Sequence, residues 1–378
     1  MKQEVRPPQT GAIPLSGPFL NEREEELVLE VLRSGQLSLG PMIDRFEQAF
    51  AEKLGVPYAA AVSSGTAGLH LLCIAAGIEP GDEVITSPYS FAASANCFIY
   101  EGGVPVFADI DARTLNLRPD AVREAITPRT KAIVPVDIYG YPCELDELRA
   151  IADEHGLALI QDSCEALGAR YKGRALGTHG PSAVFAFYPN KQMTTGEGGI
   201  VTTHLEEEWR LLRSLRNQGR GDSGGWLEHV RLGFNYRLDD VSAAIGVGQV
   251  EKLDEILPRR AAVAQVYNEL LAGIDGVELP LADDDDHVRS WFVYVVALPD
   301  NATRERAISH FEREGIGFNR YLPSIHLQPY MRERYGFREG LCPVSEDLSS
   351  RTLALPFFTA LERNAQERVA DVLAAALA

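Results

Sequence analysis

The residues of this 378-residue chain best suited to chemistry lie in one stretch, Phe185-Ala-Phe-Tyr-Pro-Asn-Lys191-Gln-Met-Thr-Thr-Gly-Glu-Gly-Gly199. Lys191 follows an apolar, strand-like run at 183–188 and precedes a glycine-dense turn. Apolar surroundings disfavour an ammonium, so a lysine there gives up its proton more readily, and the neutral amine attacks carbonyl carbons. Gly196, Gly198 and Gly199 leave room for backbone to pass close to a bound group. Alone, the stretch fits a strand, a turn and a solvated lysine equally well.

Two other stretches bear on that choice. The short apolar run Tyr58-Ala-Ala-Ala-Val62 leads through Ser63-Ser-Gly65-Thr66-Ala67 into an apolar helix. That order sets free backbone N–H groups and hydroxyls at a helix N-terminus, where a phosphate can sit. The segment also reads as an ordinary Ser/Thr helix cap, and it matches neither the nucleotide P-loop nor the GxGxxG fingerprint. Asp162 follows Leu157-Ala-Leu-Ile-Gln161, which places a carboxylate at the carboxyl end of a buried strand. An amine, a strand-end carboxylate and a phosphate seat are together what pyridoxal phosphate requires. The amine condenses with its aldehyde, the carboxylate keeps the ring nitrogen protonated, and the seat holds the phosphate.

The elements that must position these groups read as alternating strands and helices. Apolar runs at 83–86, 104–108, 132–138, 157–161, 183–188 and 200–203 predict strands, with helices at 92–100, 119–125 and 144–154 between them. Near-continuous apolar strands with helical crossovers predict an α/β fold, a mostly parallel sheet covered on both faces, with ligands at the carboxyl ends of its strands. Helices are predicted upstream at 22–34, capped by Asn21, and at 41–54, and downstream at 206–217, 239–257 and 258–271. A strand at 291–298, a helix at 304–314, a strand at 317–322 and a closing helix at 366–377 complete the chain. The division expected is a large domain over 1–253, with a proline-broken N-terminal arm over 1–20, and a smaller α+β domain over 254–378. The glycine-rich link at 218–225 is expected to move.

Composition narrows the function classes. With 45% hydrophobic and 24% charged residues, the chain can bury a large core. A net charge of −18 argues against a nucleic-acid or anionic-membrane surface, while leaving a local pocket free to bind a small anion. The five cysteines form no CxxC pair and most sit among apolar residues, so buried reduced thiols are expected, with no metal site. The acidic run Asp283-Asp-Asp-Asp286 reads as a solvated loop. No apolar run approaches a membrane span and the first residues lack an apolar leader, so a cytoplasmic protein is expected.

The chain resembles the DegT/DnrJ/EryC1/StrS sugar aminotransferase family of fold type I pyridoxal phosphate enzymes. The resemblance runs from about residue 12 to the C-terminus and is carried by Ser64-Gly-Thr-Ala-Gly-Leu-His70, Gln161-Asp-Ser-Cys-Glu-Ala-Leu-Gly168, Phe185 to Gly199, Leu215-Arg-Asn-Gln-Gly219, Leu232-Gly-Phe-Asn-Tyr-Arg237 and Tyr321-Leu-Pro-Ser-Ile-His326. It implies an aspartate aminotransferase-like architecture. It also implies Lys191 as the Schiff-base lysine that moves a proton between substrate and cofactor, Asp162 as partner of the pyridinium, and Gly65, Thr66 and Ala67 as the phosphate-binding turn. Phe91 matches an aromatic that stacks on the cofactor ring; its alternative reading is simple core. Asn235 matches an asparagine that reaches the phosphate from a neighbouring subunit, which implies a homodimer with shared sites. Tyr321 and His326 fall in a loop near the sugar, or in interface packing.

Two departures stand out. Ala186 occupies a position where the family often has a phosphate-binding serine, and Glu165 stands near the cofactor hydroxyl where glutamine or histidine is usual. The activity implied is transamination of a keto group on a nucleotide-linked sugar, with glutamate as donor. The alternatives are a cyclitol ketone as acceptor, a pyridoxal phosphate-dependent dehydratase or lyase, and a non-enzymatic regulator. Lys191 argues against the dehydratase branch, in which histidine replaces it, and the Lys191/Asp162 pair argues against a regulator.

Overall fold

In a computed structural model describing residues 11–180, 182–221 and 228–378, the predicted alternation folds into one seven-stranded sheet. The strands are β1 (Tyr58–Val62), β2 (Glu83–Thr86), β3 (Val104–Phe107), β4 (Thr130–Val134), β5 (Ala158–Asp162), then a side hairpin β6 (Arg170–Tyr171) and β7 (Arg174–Ala175), then β8 (Ser182–Ala186) and β9 (Gly199–Thr203). The sheet order is β1-β9-β8-β5-β4-β2-β3, and β9 alone runs against the others. The carboxyl ends of β1, β2, β4, β5 and β8 therefore meet at one edge, joined there by Gly199 at the start of β9. Residues 1–10 of the predicted arm and part of the 218–225 link lie outside the described residues.

Both faces of the sheet are covered, as its apolar strands demand. On one face α1 (Glu22–Ser34), α2 (Pro41–Leu54) and the helix Asp240–Glu251 bury Leu27, Phe46, Phe50, Phe185, Phe187 and Val247 together. Asn21 starts α1 by accepting from the Arg23 amide, while Glu24 reaches back to the Asn21 amide. On the other face α3 (Gly65–Ala75) and α4 (Ala93–Ile99) pack Leu69, Leu72, Phe98, Val184 and Val201. A second core gathers Tyr267, Phe311, Leu353 and Leu373 around the antiparallel pair β11 (Tyr294–Ala297) and β12 (Thr352–Leu355). Ile13 of the arm joins that core, its amide donating to the Gly315 carbonyl at 3.0 Å. The two-residue strand β10 (His287–Val288) pairs with β6.

Three expectations are corrected. The strand predicted at 132–138 is regular only to Val134; beyond Pro135, which has no N–H to give a ladder, Val136 still bridges Asp162, and residues Ile138–Gly140 form a turn. The helices predicted at 239–257 and 258–271 divide instead at Lys252, leaving Pro258 inside the helix Leu253–Leu271. The strand predicted at 317–322 is extended chain in which Asn319 alone bridges to Ala354. All five cysteines are free thiols.

Candidate active site

The sheet edge collects most of the predicted residues. Asp162 closes β5 and is 3% exposed. Its Oδ2 accepts from Ser94 Oγ at 2.7 Å and its Oδ1 from the Cys164 amide at 3.1 Å. Both donors are neutral, and among the described residues no cationic group lies within ion-pair distance of it. Ser94 is held by Ser90 at 2.7 Å. Neither serine was singled out from sequence, although their i, i+4 spacing beside Phe91 becomes a signal once 90–94 is known to enter a helix.

Lys191 sits in the turn after β8, its amide donating to the Tyr188 carbonyl at 2.9 Å. Its side chain is 13% exposed, and Nζ lies 3.4 Å from Glu165 Oε1 and 3.8 Å from the centre of the Phe292 ring. The Glu165 carboxylate also accepts the Tyr139 amide at 3.0 Å, and its carbonyl is pinned by Gln192 Nε2 at 2.6 Å. A carboxylate and an aromatic face thus clasp the ammonium from two sides. The Glu165 position, a departure from the family pattern, is filled by a direct partner of the lysine. Phe292 was not found from sequence, since nothing in its apolar run marks it. Its carbonyl and that of Trp291 are held by the buried Arg260, at 2.6 and 2.7 Å.

Beside these groups, β1 delivers Ser63 and Ser64 to the start of α3. Ser64 caps the helix by accepting from the Ala67 amide, which leaves the Gly65 and Thr66 N–H groups without an intrahelical partner. Glycine is required at 65 because a Cβ there would stand 2.8 Å from both Ala186 Cβ and Cys164 Sγ. It is required at 199 because a Cβ would stand 2.7 Å from the Gly65 nitrogen. The end of β8, the start of β9 and the start of α3 are therefore in backbone-to-backbone contact, with the Ala186 methyl packed under Gly65.

Phe91, between β2 and α4, is 66% exposed, which sets aside its reading as core. Tyr321 is half-buried, its hydroxyl accepting from Asn190 Nδ2 at 3.4 Å. Burial raises the Tyr321 phenol above its ordinary pKa, with the Glu165 charge adding to the effect. Asn235 is exposed, and its neighbour Tyr236 accepts from the Ser63 amide at 2.8 Å, so this stretch runs alongside the start of α3. His326 lies apart: it is fully buried, its Nε2 2.9 Å from Glu346 Oε1 and its ring against Phe107.

The sequence profile of the DegT/DnrJ/EryC1/StrS aminotransferase family matches residues 18–374. The chain belongs to this family. Among relatives, the spore coat polysaccharide biosynthesis protein SpsC of Bacillus subtilis is 37% identical over 376 residues, spanning 96% of each chain. The structure of S. venezuelae DesV in complex with a ketimine intermediate superposes with a TM-score of 0.89 at 35% identity, covering 96% of this chain and 98% of that one. Spr1654 of Streptococcus pneumoniae in its PLP form superposes with a TM-score of 0.92 at 25% identity, covering 97% and 98%. The protein is a transaminase of fold type I, and its cofactor is pyridoxal phosphate.

The aminotransferase edge fits that cofactor on its own chemistry. Asp162 is a buried carboxylate with no cation, an arrangement that a ring nitrogen carrying a proton would complete. Phe91 is a bare aromatic face, and the first N–H groups of α3 are open to a phosphate. Among the described residues no helix is long and apolar enough to cross a membrane, and no cluster of His, Cys, Asp and Glu has metal-binding geometry.

Proposed function

We propose that this aminotransferase places nitrogen on a keto group of a nucleotide-linked sugar, with glutamate as the amino donor. The observation that carries the chemistry is the cation-free Asp162 carboxylate beside a lysine held by its own carboxylate partner. The sugar reading is supported by the relatives, SpsC being a polysaccharide biosynthesis protein. Pyridoxal phosphate, when bound, supplies a carbonyl that takes up amines and a ring that draws electrons from the carbon bearing the nitrogen.

In this reading Asp162 holds a proton on the ring nitrogen, with Ser94 and the Cys164 amide fixing the carboxylate plane. Lys191 Nζ takes the proton from the donor carbon and returns one to the acceptor. Glu165 and Phe292 keep Nζ aimed into the site. The amides of Gly65 and Thr66 and the Thr66 hydroxyl would hold the phosphate, next to the Ala67 amide that Ser64 Oγ caps, and Phe91 would offer its ring to the cofactor. Tyr321 lines the substrate side. Asn235 reaches the phosphate of a second subunit, which makes the working form a homodimer; Leu232 of the same stretch, 86% exposed, supports a covered face there. His326 holds the substrate loop from behind through Glu346. The large unit over 1–253 carries the cofactor, and the small unit over 254–378 contributes Phe292 and Tyr321. Five free cysteines support a cytoplasmic location.

Protein loaded with cofactor should show a visible absorbance band and form 2-oxoglutarate from glutamate when a keto-sugar nucleotide is supplied, with ping-pong kinetics. Lys191→Ala should abolish that turnover. Release of a keto product without 2-oxoglutarate would place the enzyme among lyases and overturn the proposal.

A further inference from the structure

A cavity of 490 Å³ lies between β11, the segment 278–282 and the turn at Tyr139. Lys191 and Asp162 are not among its walls, which include Leu115, Tyr139, Leu281, Arg289, Trp291 and Val293. Arg289 is 8% exposed there. Its Nη1 donates to the Tyr139 carbonyl at 3.2 Å and its Nη2 to the Leu281 carbonyl at 3.4 Å. The guanidinium lies 4.7 Å from the Tyr141 ring centre and 5.0 Å from that of Trp291. Its Nε is buried without a hydrogen-bond partner, and among the described residues no carboxylate pairs with it. Asp283 spends Oδ1 on the Arg289 amide at 3.0 Å. Burial pulls the guanidinium down to a pKa of about 10, against the opposing pull of Asp283. Arg113 and Glu278 also line the cavity but are exposed, and Glu278 pairs with Arg351 at 3.1 Å.

Arg260 shows what a buried arginine with a purely structural task looks like. It too lacks an acid, but its Nε, Nη1 and Nη2 each donate, to Trp291 O, Thr359 Oγ1 and Phe292 O. Arg289 instead leaves its buried Nε without a partner and, at the wall of a cavity, carries a charge that Asp283 offsets only without an ion pair, a costly arrangement that an anion would relieve. A guanidinium fork matches a carboxylate in plane and spacing, and flanking aromatic faces with apolar walls suit a flat apolar body. We propose that this cavity is a binding site for a small aromatic carboxylate.

The site itself does not depend on the transamination reading; its consequence does. Arg289 grips the Tyr139 carbonyl, the Tyr139 amide grips Glu165, and Glu165 holds Lys191. A ligand that draws the guanidinium off the Tyr139 carbonyl acts on the residue whose amide, one peptide earlier, anchors the lysine's partner.

The test is calorimetric binding of indole-3-acetate to the cofactor-loaded protein, against its uncharged analogue indole-3-acetamide. The acid should bind saturably and roughly tenfold or more tighter than the amide, and Arg289→Gln should erase the preference. No binding of the acid, or equal affinity for acid and amide, overturns the site without any variant. So does a preference retained by Arg289→Gln. If that variant does not fold, Ala282→Trp, at an exposed position of the cavity wall, replaces it; undiminished binding to that variant places the acid elsewhere and overturns the site. With acid bound, the pH titration of the cofactor band should shift. A titration that does not move while the acid binds keeps the site and overturns its link to Lys191.

Discussion

Replacing Asp162 by asparagine separates a structural carboxylate from one kept for a cofactor. In the protein without cofactor, the carboxylate accepts two hydrogen bonds, from Ser94 Oγ and the Cys164 amide. An asparagine can keep both contacts: its Oδ1 accepts from Cys164, and its Nδ2 donates to Ser94 Oγ, which turns its own hydrogen towards Ser90. The exchange of one charged hydrogen bond for a neutral one is offset by relief of an unpaired buried charge. The apo protein should therefore change by no more than about 1 kcal/mol. The loaded enzyme loses one partner of a buried ion pair, which costs about 3–5 kcal/mol and translates to about 10²- to 10⁴-fold in cofactor-dependent rate. Denaturant unfolding of the apo protein and 2-oxoglutarate formation by the loaded enzyme measure the two quantities. An Asp162→Asn protein destabilised by about 3 kcal/mol or more in the apo form, yet active within about tenfold of the parent, would refute the assignment.

Three other perturbations test the neighbourhood. Lys191→Met and Glu165→Gln should each destabilise the apo protein, but together by less than their sum, with a coupling of about 1–2 kcal/mol in a double-mutant cycle; additive losses would mean that the 3.4 Å pair contributes nothing. Gly199→Ala should cost about 1–3 kcal/mol through overpacking and weaken cofactor binding by pushing Gly65 out of place, whereas Gly273→Ala, with nothing within 4 Å and no unusual backbone, should be nearly silent in the same melting assay. Burial raises the Asp137 carboxyl above its ordinary 3.8, although Ser163, Cys143 and Gln161 donate to it. The folded protein thus holds that proton to higher pH than the unfolded chain, so this group's contribution to stability is greatest below 3.8 and declines as pH rises through the folded value. Asp137→Asn should flatten that decline, because the amide does not titrate, and the variant keeps its fold because Gln161 can turn its unpartnered Oε1 towards the new amide; an unchanged slope of stability against pH argues against it.

The sequence alone determined the parts that depend on local order along the chain. The apolar runs separated by helical spacing specified a covered parallel sheet, since only such a sheet buries strands that are apolar on both faces. Strand-end placement then set Asp162, Lys191 and the Ser63–Ala67 turn at one edge, and the family motifs gave them a shared purpose. What the tertiary structure decided are contacts between segments far apart in the chain. Phe292 meets Lys191 across more than a hundred residues, and Ser94 reaches Asp162 from another crossover helix; neither carries a local signature because a phenylalanine in an apolar run and a serine near a turn look ordinary. Glu165 was visible as an oddity, but its bond to Lys191 required the turn after β5 and the turn after β8 to be brought side by side. Gly65 and Gly199 read as room left for a bound group, and the packing of β8, β9 and α3 showed that it is neighbouring chain that leaves a side chain at either position no space. His326 went the other way, because a polar residue in a substrate loop gives no sign of whether it faces ligand or core. Burial is set by the whole fold, and here it drew the imidazole inward to Glu346 while leaving Phe91 outside.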